Sequence, residues 1–509
     1  MMAVPPTIHL PPDIEPARVD LLDGTSLPAA WAESWRAAAA SRPTLHDPAS
    51  GWITGSELEA RTAVAAGRFY GAGLRKGDRV LMSAAASIDL VVAHVAALRL
   101  GCIVVPVNGA YQRDEVAHIV ADASPRAAVV DDPRWRQWLT ELAPGAVLTS
   151  PALELDDDRA PGLDQVESAD PALLGYTSGT TGRPKGAVLT HGNLLAGAAS
   201  LVLAWRWTPD DRLVLALPLF HMHGLGVGLH GTLLAGASAV LAGHFDVDGV
   251  LDAAAAHDAT LFFGVPTMYA RFAASDRLAE LGRFRLCVSG SAPLSAELHH
   301  RLADGSGQTI LERYGMTETI MLVSNPHDGP RRPGTVGLPL PGVDLRLVGD
   351  DGQVEVRGPN VFPGYWRRPD ANSEAFTDDG WFRTGDLGEF DDAGYLRLVG
   401  RAKELIISGG FNVYPREVED ALASHPHVAE VAVAGTPDPD WGEVVTAHVV
   451  PSADAPAGSP TVDDLRSHVA DTLAAFKHPR RVVLVDELPR NALGKIQKHR
   501  LHQLGTDPT

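Results

Sequence analysis

Cysteine is almost absent: Cys102 and Cys287 are the two in 509 residues, and they form no CxxC pair. Neither a disulfide framework nor a cysteine-based zinc site can be built from them, so both are expected as buried thiols in a reducing compartment. Basic residues are outnumbered, 43 Lys and Arg against 63 Asp and Glu, which leaves a formal net charge of −20. Such a balance repels nucleic acid and anionic lipid, so any anionic ligand must be held by a local site. No GxxxxGK[ST] string occurs, which excludes a Walker A loop. Met1 to Pro12 lacks a basic region followed by an apolar run, so it does not read as a signal peptide, and a cytoplasmic location is expected. The stretch from Leu213 to Phe245 has no Asp, Glu, Lys or Arg, but Pro218, histidines and glycines interrupt it. It reads as a buried helix followed by a buried strand, not as a membrane span.

What is present is an ordinary globular composition, 45% hydrophobic and 21% charged, in a chain too long for one core. An apolar strand (Val80 to Ser83), a helical stretch (Ile88 to Leu100) and a second apolar strand (Ile103 to Val107) make a βαβ unit. Apolar runs at Ala127 to Val130, Ala187 to Leu189, Ala239 to Leu241, Thr260 to Phe263 and Leu286 to Ser289 alternate with helix-like segments. The fold class is therefore α/β, with doubly wound subdomains. An acidic, aperiodic connector spans Leu155 to Asp170. From Val354 the texture becomes β-rich, and after Gly400 a smaller α+β unit follows, with a helix near Glu417 to Ala423 and strands near Val428 to Ala434 and Val444 to Val450. These boundaries give an N-terminal domain of residues 1–401 and a C-terminal domain of 402–509.

The densest motif is Tyr176-Thr-Ser-Gly-Thr-Thr-Gly-Arg-Pro-Lys-Gly186. Glycines let backbone N–H groups approach an anion, the hydroxyls of Thr177, Ser178, Thr180 and Thr181 add donors beside Gly179 and Gly182, and Lys185 supplies a point charge. Alone, the loop says only that phosphates are bound. Downstream stand Tyr314-Gly-Met-Thr-Glu318, then Thr384-Gly-Asp386 with Gly400-Arg401, and then Pro489-Arg-Asn-Ala-Leu-Gly-Lys495. Together the four strings resemble the adenylate-forming superfamily of acyl-CoA synthetases, peptide-synthetase adenylation domains and luciferases, over about residues 30 to 500.

The resemblance implies ATP, Mg²⁺ and coenzyme A as reactants and cofactor, with a mobile C-terminal domain. Glu318 is implied as the metal ligand, with Thr317 and Thr181 donating to phosphates. Asp386, assisted by Arg401, is implied to accept from the ribose hydroxyls. Ser289, Gly290, Ser291, Arg313, Tyr314, Gly315 and Met316 fall in strings that line the nucleotide, and Lys495 is implied to reach the α-phosphate and the acyl carboxylate. Lys403, in Arg401-Ala-Lys-Glu404, resembles the hinge, and Ser408-Gly409-Gly410 resembles the passage for the pantetheine arm of CoA.

For the acid, Pro218-Leu-Phe-His-Met-His-Gly224 matches the segment that flanks the acyl pocket, with His221 as an aromatic gate. His221 and His223 alone do not make a zinc site. No acidic residue lies between Leu213 and Phe245 to pair an amino group, which argues against an amino acid substrate. Arg271, in Gly264-Val-Pro-Thr-Met-Tyr-Ala-Arg271, is expected to suit a second carboxylate at a pocket lined by His221, Met222, Ser291 and Met316. Ser289-Gly-Ser-Ala-Pro293 and Leu311-Glu-Arg-Tyr-Gly-Met316 look most like bacterial malonyl-CoA and methylmalonyl-CoA synthetases. The turn Gly349-Asp-Asp-Gly-Gln353 is shorter than that family's hairpin. The alternatives are a stand-alone adenylation enzyme that loads a carrier protein, a ligase for another small or aryl acid, and a luciferase-like oxygenase.

Overall fold

The computed structural model describes residues 8–16, 19–36, 40–155, 161–177, 184–409, 411–439, 441–490 and 495–504. By contact density the chain forms two compact units, 1–345 with 356–382, and 346–355 with 383–509.

The first unit is built on two sheets. A seven-stranded sheet runs in the order Gly364–Tyr365, Lys185–Thr190, Pro171–Thr177, Ile103–Pro106, Arg79–Ser83, Ala127–Val130, Val147–Thr149. The adjoining strands Ile103–Pro106, Arg79–Ser83 and Ala127–Val130 are parallel and almost wholly buried, so their sequences are continuous apolar runs and not alternating ones. Ser87 begins the crossover helix Ile88–Arg99 by accepting the Leu90 amide at 3.2 Å, and the next helix, Arg113–Ala123, starts where Glu115 Oε2 accepts the Gln112 amide at 2.8 Å. Val116, Ile119, Val120 and Ala123 bury one face of that second helix. The sheet ends in an antiparallel hairpin that pairs Thr177 with Lys185 and Tyr176 with Gly186, so both ends of the hydroxyl-rich loop are fixed by a ladder.

A nine-stranded sheet carries the remaining site strands. Its central order is Leu311–Tyr314, Leu286–Ser289, Leu261–Gly264, Arg212–Leu215, Ser238–Leu241, all parallel. The charge-free stretch is buried as expected: a π-helical turn, His223–Leu229, runs into the helix His230–Ala235, and the strand Ser238–Leu241 follows. No helix among the described residues is long and apolar enough to cross a membrane. Cys102 and Cys287 are both free and buried, and burial pushes the Cys102 thiol up to about 12.

In the second unit, Phe382–Phe390 and Leu396–Arg401 run antiparallel with Asp386 opposite Arg401, and the shortened turn closes between Val348 and Gln353. A further sheet pairs Val428–Asp438 with Gly442–Pro451 and buries the helix Pro415–Leu422 through Val418 and Leu422. The 1–401 and 402–509 boundary of the sequence reading falls inside this unit, between Leu396–Arg401 and the 3₁₀ turn Ala402–Glu404.

Candidate active site

Residues 178–183 lie outside the described part, so nothing is added for Ser178, Gly179, Thr180, Thr181 and Gly182; the same holds for Gly410. The surroundings of the loop are defined. Thr317 packs its methyl onto Gly175, where a Cβ would collide with it, so the Tyr314-to-Glu318 string lies directly against the loop hairpin. Gly364–Tyr365 pairs antiparallel to Lys185–Thr190, and this places the Tyr365 hydroxyl 3.0 Å from Glu318 Oε1, to which it donates. The Lys185 ammonium stands 5.3 Å from the Tyr365 ring centroid. Glu318 is 4% exposed, and its carbonyl accepts the Phe362 amide at 2.8 Å. Tyr365 was missed by sequence reasoning; Phe362-Pro-Gly-Tyr-Trp366 is the only signal that pointed to it, and it resembles a turn.

No group of three or more His, Cys, Asp or Glu able to hold a metal occurs among the described residues. A single buried carboxylate, Glu318, against the hairpin that bears the hydroxyl-rich segment nevertheless fits Mg²⁺, which binds through one or two carboxylates plus substrate phosphates.

A second cluster gathers where the nine-stranded sheet opens. Arg313 is 5% exposed and its guanidinium passes directly beneath Gly290, where any Cβ would strike its central carbon. Its Nε and Nη2 have no hydrogen-bond partner, and no carboxylate among the described residues pairs it. Desolvation pulls its pKa down to about 9, with the Tyr269 phenol acting the other way. Above it, Ser291 takes a left-handed φ of 70°, and its hydroxyl lies 3.4 Å from His223 Nδ1. The His223 ring stacks on Phe263 and its amide donates to His221 Nδ1 at 3.3 Å; burial first, then Arg313 and His221, keep the His223 ring neutral. Met222, between His221 and His223 in sequence, is buried, and Met316 follows Gly315 at the head of a turn in which Ile320 has positive φ, 59°. Gly315 packs against the Ile320 carbonyl, Tyr314 ends the strand that carries Arg313, and Ser289 is buried.

Arg271 is not brought to this cluster. It is exposed on the last turn of Pro266–Ala273, 6.0 Å over the Phe245 ring. Phe245 packs on Phe262, whereas His223 packs on Phe263, and successive residues of a strand face opposite sides of its sheet.

In the second unit Arg401 Nε reaches Asp386 Oδ1 at 2.9 Å, and Thr384 fixes the turn by accepting the Asp386 amide at 3.1 Å. The Lys495 ammonium lies close to Arg401, Asp386 and Glu404; desolvation and then Arg401 lower its pKa, against the opposing effect of Asp386 and Glu404. Lys403 is exposed in the turn Ala402–Glu404. Ser408 is fully buried, and the Gly409 amide donates to the Trp441 carbonyl at 2.9 Å.

These strings and their placement define an ATP-using ligase that makes acyl-adenylates. The sequence pattern of the AMP-binding enzyme family matches residues 32–366 and that of the AMP-binding enzyme C-terminal domain matches 417–495; the chain belongs to this family, as an AMP-forming acyl-CoA synthetase of the adenylate-forming superfamily. It is 39% identical to a feruloyl-CoA synthase of Amycolatopsis sp over 462 residues, covering 88% of this chain and 92% of that protein. Among solved structures it is similar to ATP-bound MatB from Rhodopseudomonas palustris (TM-score 0.88, 40% identity, 95% of this chain and 99% of that one). It is also similar to a malonyl-CoA ligase ternary product complex with methylmalonyl-CoA and AMP bound (TM-score 0.66, 42% identity, 91% and 99%).

Proposed function

We propose that the acid is a short dicarboxylate, malonate, with methylmalonate also accepted, and that the enzyme joins one of its carboxylates to CoA. The observation that carries this is Arg313. A buried cation without a counter-charge is destabilising by several kcal/mol, and a substrate carboxylate forking onto its free N–H groups relieves that penalty. The distal-carboxylate role expected of Arg271 therefore passes to Arg313, with Ser291, His221 and His223 around the chain between the two carboxyl groups. The buried thioether of Met222 is unbranched and adaptable, which suits an α-methyl group. Likeness to a malonyl-CoA ligase supports the reading; likeness to a feruloyl-CoA synthase supports an aryl acid instead, which would leave Arg313 without an anionic partner.

In the first step a carboxylate oxygen of the acid attacks the α-phosphorus of ATP, the bond to the β-phosphate oxygen breaks, and pyrophosphate leaves. Lys185, Thr177, Thr317 and the 178–182 segment donate to the phosphates, Asp386 accepts from the ribose with Arg401 holding it, and Lys495 neutralises the reacting oxygens. Magnesium, held by Glu318, would supply charge neutralisation between the phosphates. In the second step a swing at Lys403 brings Ser408, Gly409 and Gly410 to the acyl group; the CoA sulfur attacks the carbonyl carbon and AMP departs.

A substrate panel of acetate, malonate, methylmalonate, ferulate and benzoate tests the assignment. Malonate is expected to give the highest kcat/KM, and preference for any monocarboxylic acid overturns it.

A further inference from the structure

Both strand ends that flank residues 178–183 are tied to one helix, Arg113–Ala123. On the first, Tyr176 lies over Gly186 and its hydroxyl donates to Asp122 Oδ2 at 2.8 Å. Burial and this carboxylate raise the Tyr176 pKa, so the phenol stays protonated as a donor. On the second, His118 Nε2 lies 2.8 Å from the carbonyl of Pro184, which can only accept, so the ring nitrogen donates. His118 and Asp122 are four residues apart and share a helix face.

Asp122 reaches further. Its side chain is 8% exposed, and Oδ1 receives Arg368 Nη2 at 2.7 Å. Its carbonyl accepts from Trp366 Nε1 at 3.3 Å and Arg367 Nη1 at 3.5 Å. Trp366 to Arg368 directly follow Tyr365, the residue that donates to Glu318, and the Trp366 amide donates to the Gly186 carbonyl at 2.8 Å. Arg367 has a φ of 53°, a left-handed conformation that a non-glycine residue keeps only where its surroundings hold it. One carboxylate thus meets a strand end of the phosphate segment and the chain that carries the Glu318 partner.

We propose that His118 and Asp122 are positioning residues for adenylation: from a single helix face they hold both strands of the hairpin against that helix and fix the placement of Tyr365 beside Glu318. The proposal rests on the phosphate role of Lys185 and the 178–182 segment. Neither residue reaches the reacting atoms; each acts through Tyr176, Pro184 and the 366–368 segment. A purely structural role would change stability and leave the ratio of the two half-reactions alone.

The test compares, in the full chain, acid-dependent ATP–pyrophosphate exchange with thioester formation from supplied acyl-adenylate and CoA, using whichever acid the unmodified enzyme exchanges fastest. Tyr176→Phe removes one hydroxyl and keeps the ring; His118→Ala removes the other tie, and His118→Gln restores an N–H donor. Each of the first two is expected to raise KM for ATP and lower exchange kcat/KM about five- to tenfold, with thioester formation within about twofold and His118→Gln recovering most of the loss. Unchanged exchange, or an equal fall in both half-reactions, overturns the proposal. Lys185→Ala separates the underlying reading: if it abolishes exchange while Tyr176→Phe and His118→Ala do not change it, only the positioning role fails. If Lys185→Ala itself leaves exchange intact, the phosphate reading and this proposal fail together.

Discussion

The Tyr365 hydroxyl donates to Glu318 Oε1 across 3.0 Å, joining a residue at the edge of one sheet to a carboxylate almost fully withdrawn from solvent. A hydrogen bond to a charged group contributes about 1.5–3 kcal/mol, and here that energy fixes where the carboxylate oxygen proposed to hold magnesium points. Tyr365→Phe should lower kcat/KM for ATP in the exchange assay by roughly tenfold or more while the protein stays folded. Wild-type exchange in Tyr365→Phe would show that Glu318 needs no such partner.

Arg313 gives the sharpest discrimination between substrates. Arg313→Met should lower kcat/KM for malonate roughly ten- to hundredfold, the worth of a charge-assisted forked contact, and leave acetate and propionate little changed. Arg313→Lys keeps the charge without the fork and should fall between them. Arg271→Ala, by contrast, should leave malonate kinetics near wild type, since its guanidinium lies over Phe245. Parallel steady-state kinetics on the three variants decide the matter; a malonate defect confined to Arg271→Ala would restore the pocket role to that residue.

Lys495 and Lys403 are proposed to serve different half-reactions. Lys495→Ala should stop adenylation yet leave supplied acyl-adenylate competent to react with CoA, and Lys403→Pro, introduced to block the proposed swing, should do the reverse. Quench-flow measurement of each step separately checks both. Equal loss in the two steps for Lys495→Ala would mean that the hinge is misplaced.

Acid sensitivity follows from buried histidines. Desolvation lowers His9 and His191 to about 4 and His94 to about 3, from an ordinary value of 6.5. Above pH 6.5 these rings are neutral in both folded and unfolded chains and add no slope. Below it the unfolded chain takes up protons that the folded chain refuses, so stability declines by about 1.4 kcal/mol per pH unit for each ring until the folded value is reached. Thermal melts from pH 7 to 4.5 should show a falling midpoint. His191→Phe, which removes two ring nitrogens buried without partners, should flatten the curve; an unchanged slope would assign the acid sensitivity elsewhere.

The parts legible in the sequence are those that short-range chemistry dictates. Parallel strands buried on both faces must be apolar runs, so Ala127–Val130 and Leu286–Ser289 could be read residue for residue. The loop, the Tyr314-to-Glu318 string and the Thr384-to-Asp386 turn each concentrate their requirements in a few adjacent positions. Convergence across long separations was not legible: Tyr365 meets Glu318 from 47 residues away, and Asp122 meets Tyr176 and Arg368 from 54 and 246. Helical periodicity also placed Arg271 on a helix without saying which face it occupies, between buried Tyr269 and buried Phe272. The sequence groups Arg313 with its string as a nucleotide contact; its burial beneath Gly290, near Ser291 and His223, is the observation behind the proposal that it meets the acid.

Adenylation of malonate and transfer of the malonyl group to CoA are proposed to occur on this one enzyme. A single turnover with excess enzyme, α-labelled ATP and malonate, run with and without CoA, distinguishes the two steps. Without CoA, pyrophosphate and enzyme-held malonyl-adenylate are expected, and once CoA is added, stoichiometric AMP and malonyl-CoA. Complete release of free AMP in the absence of any thiol would rule out the ligase sequence of steps.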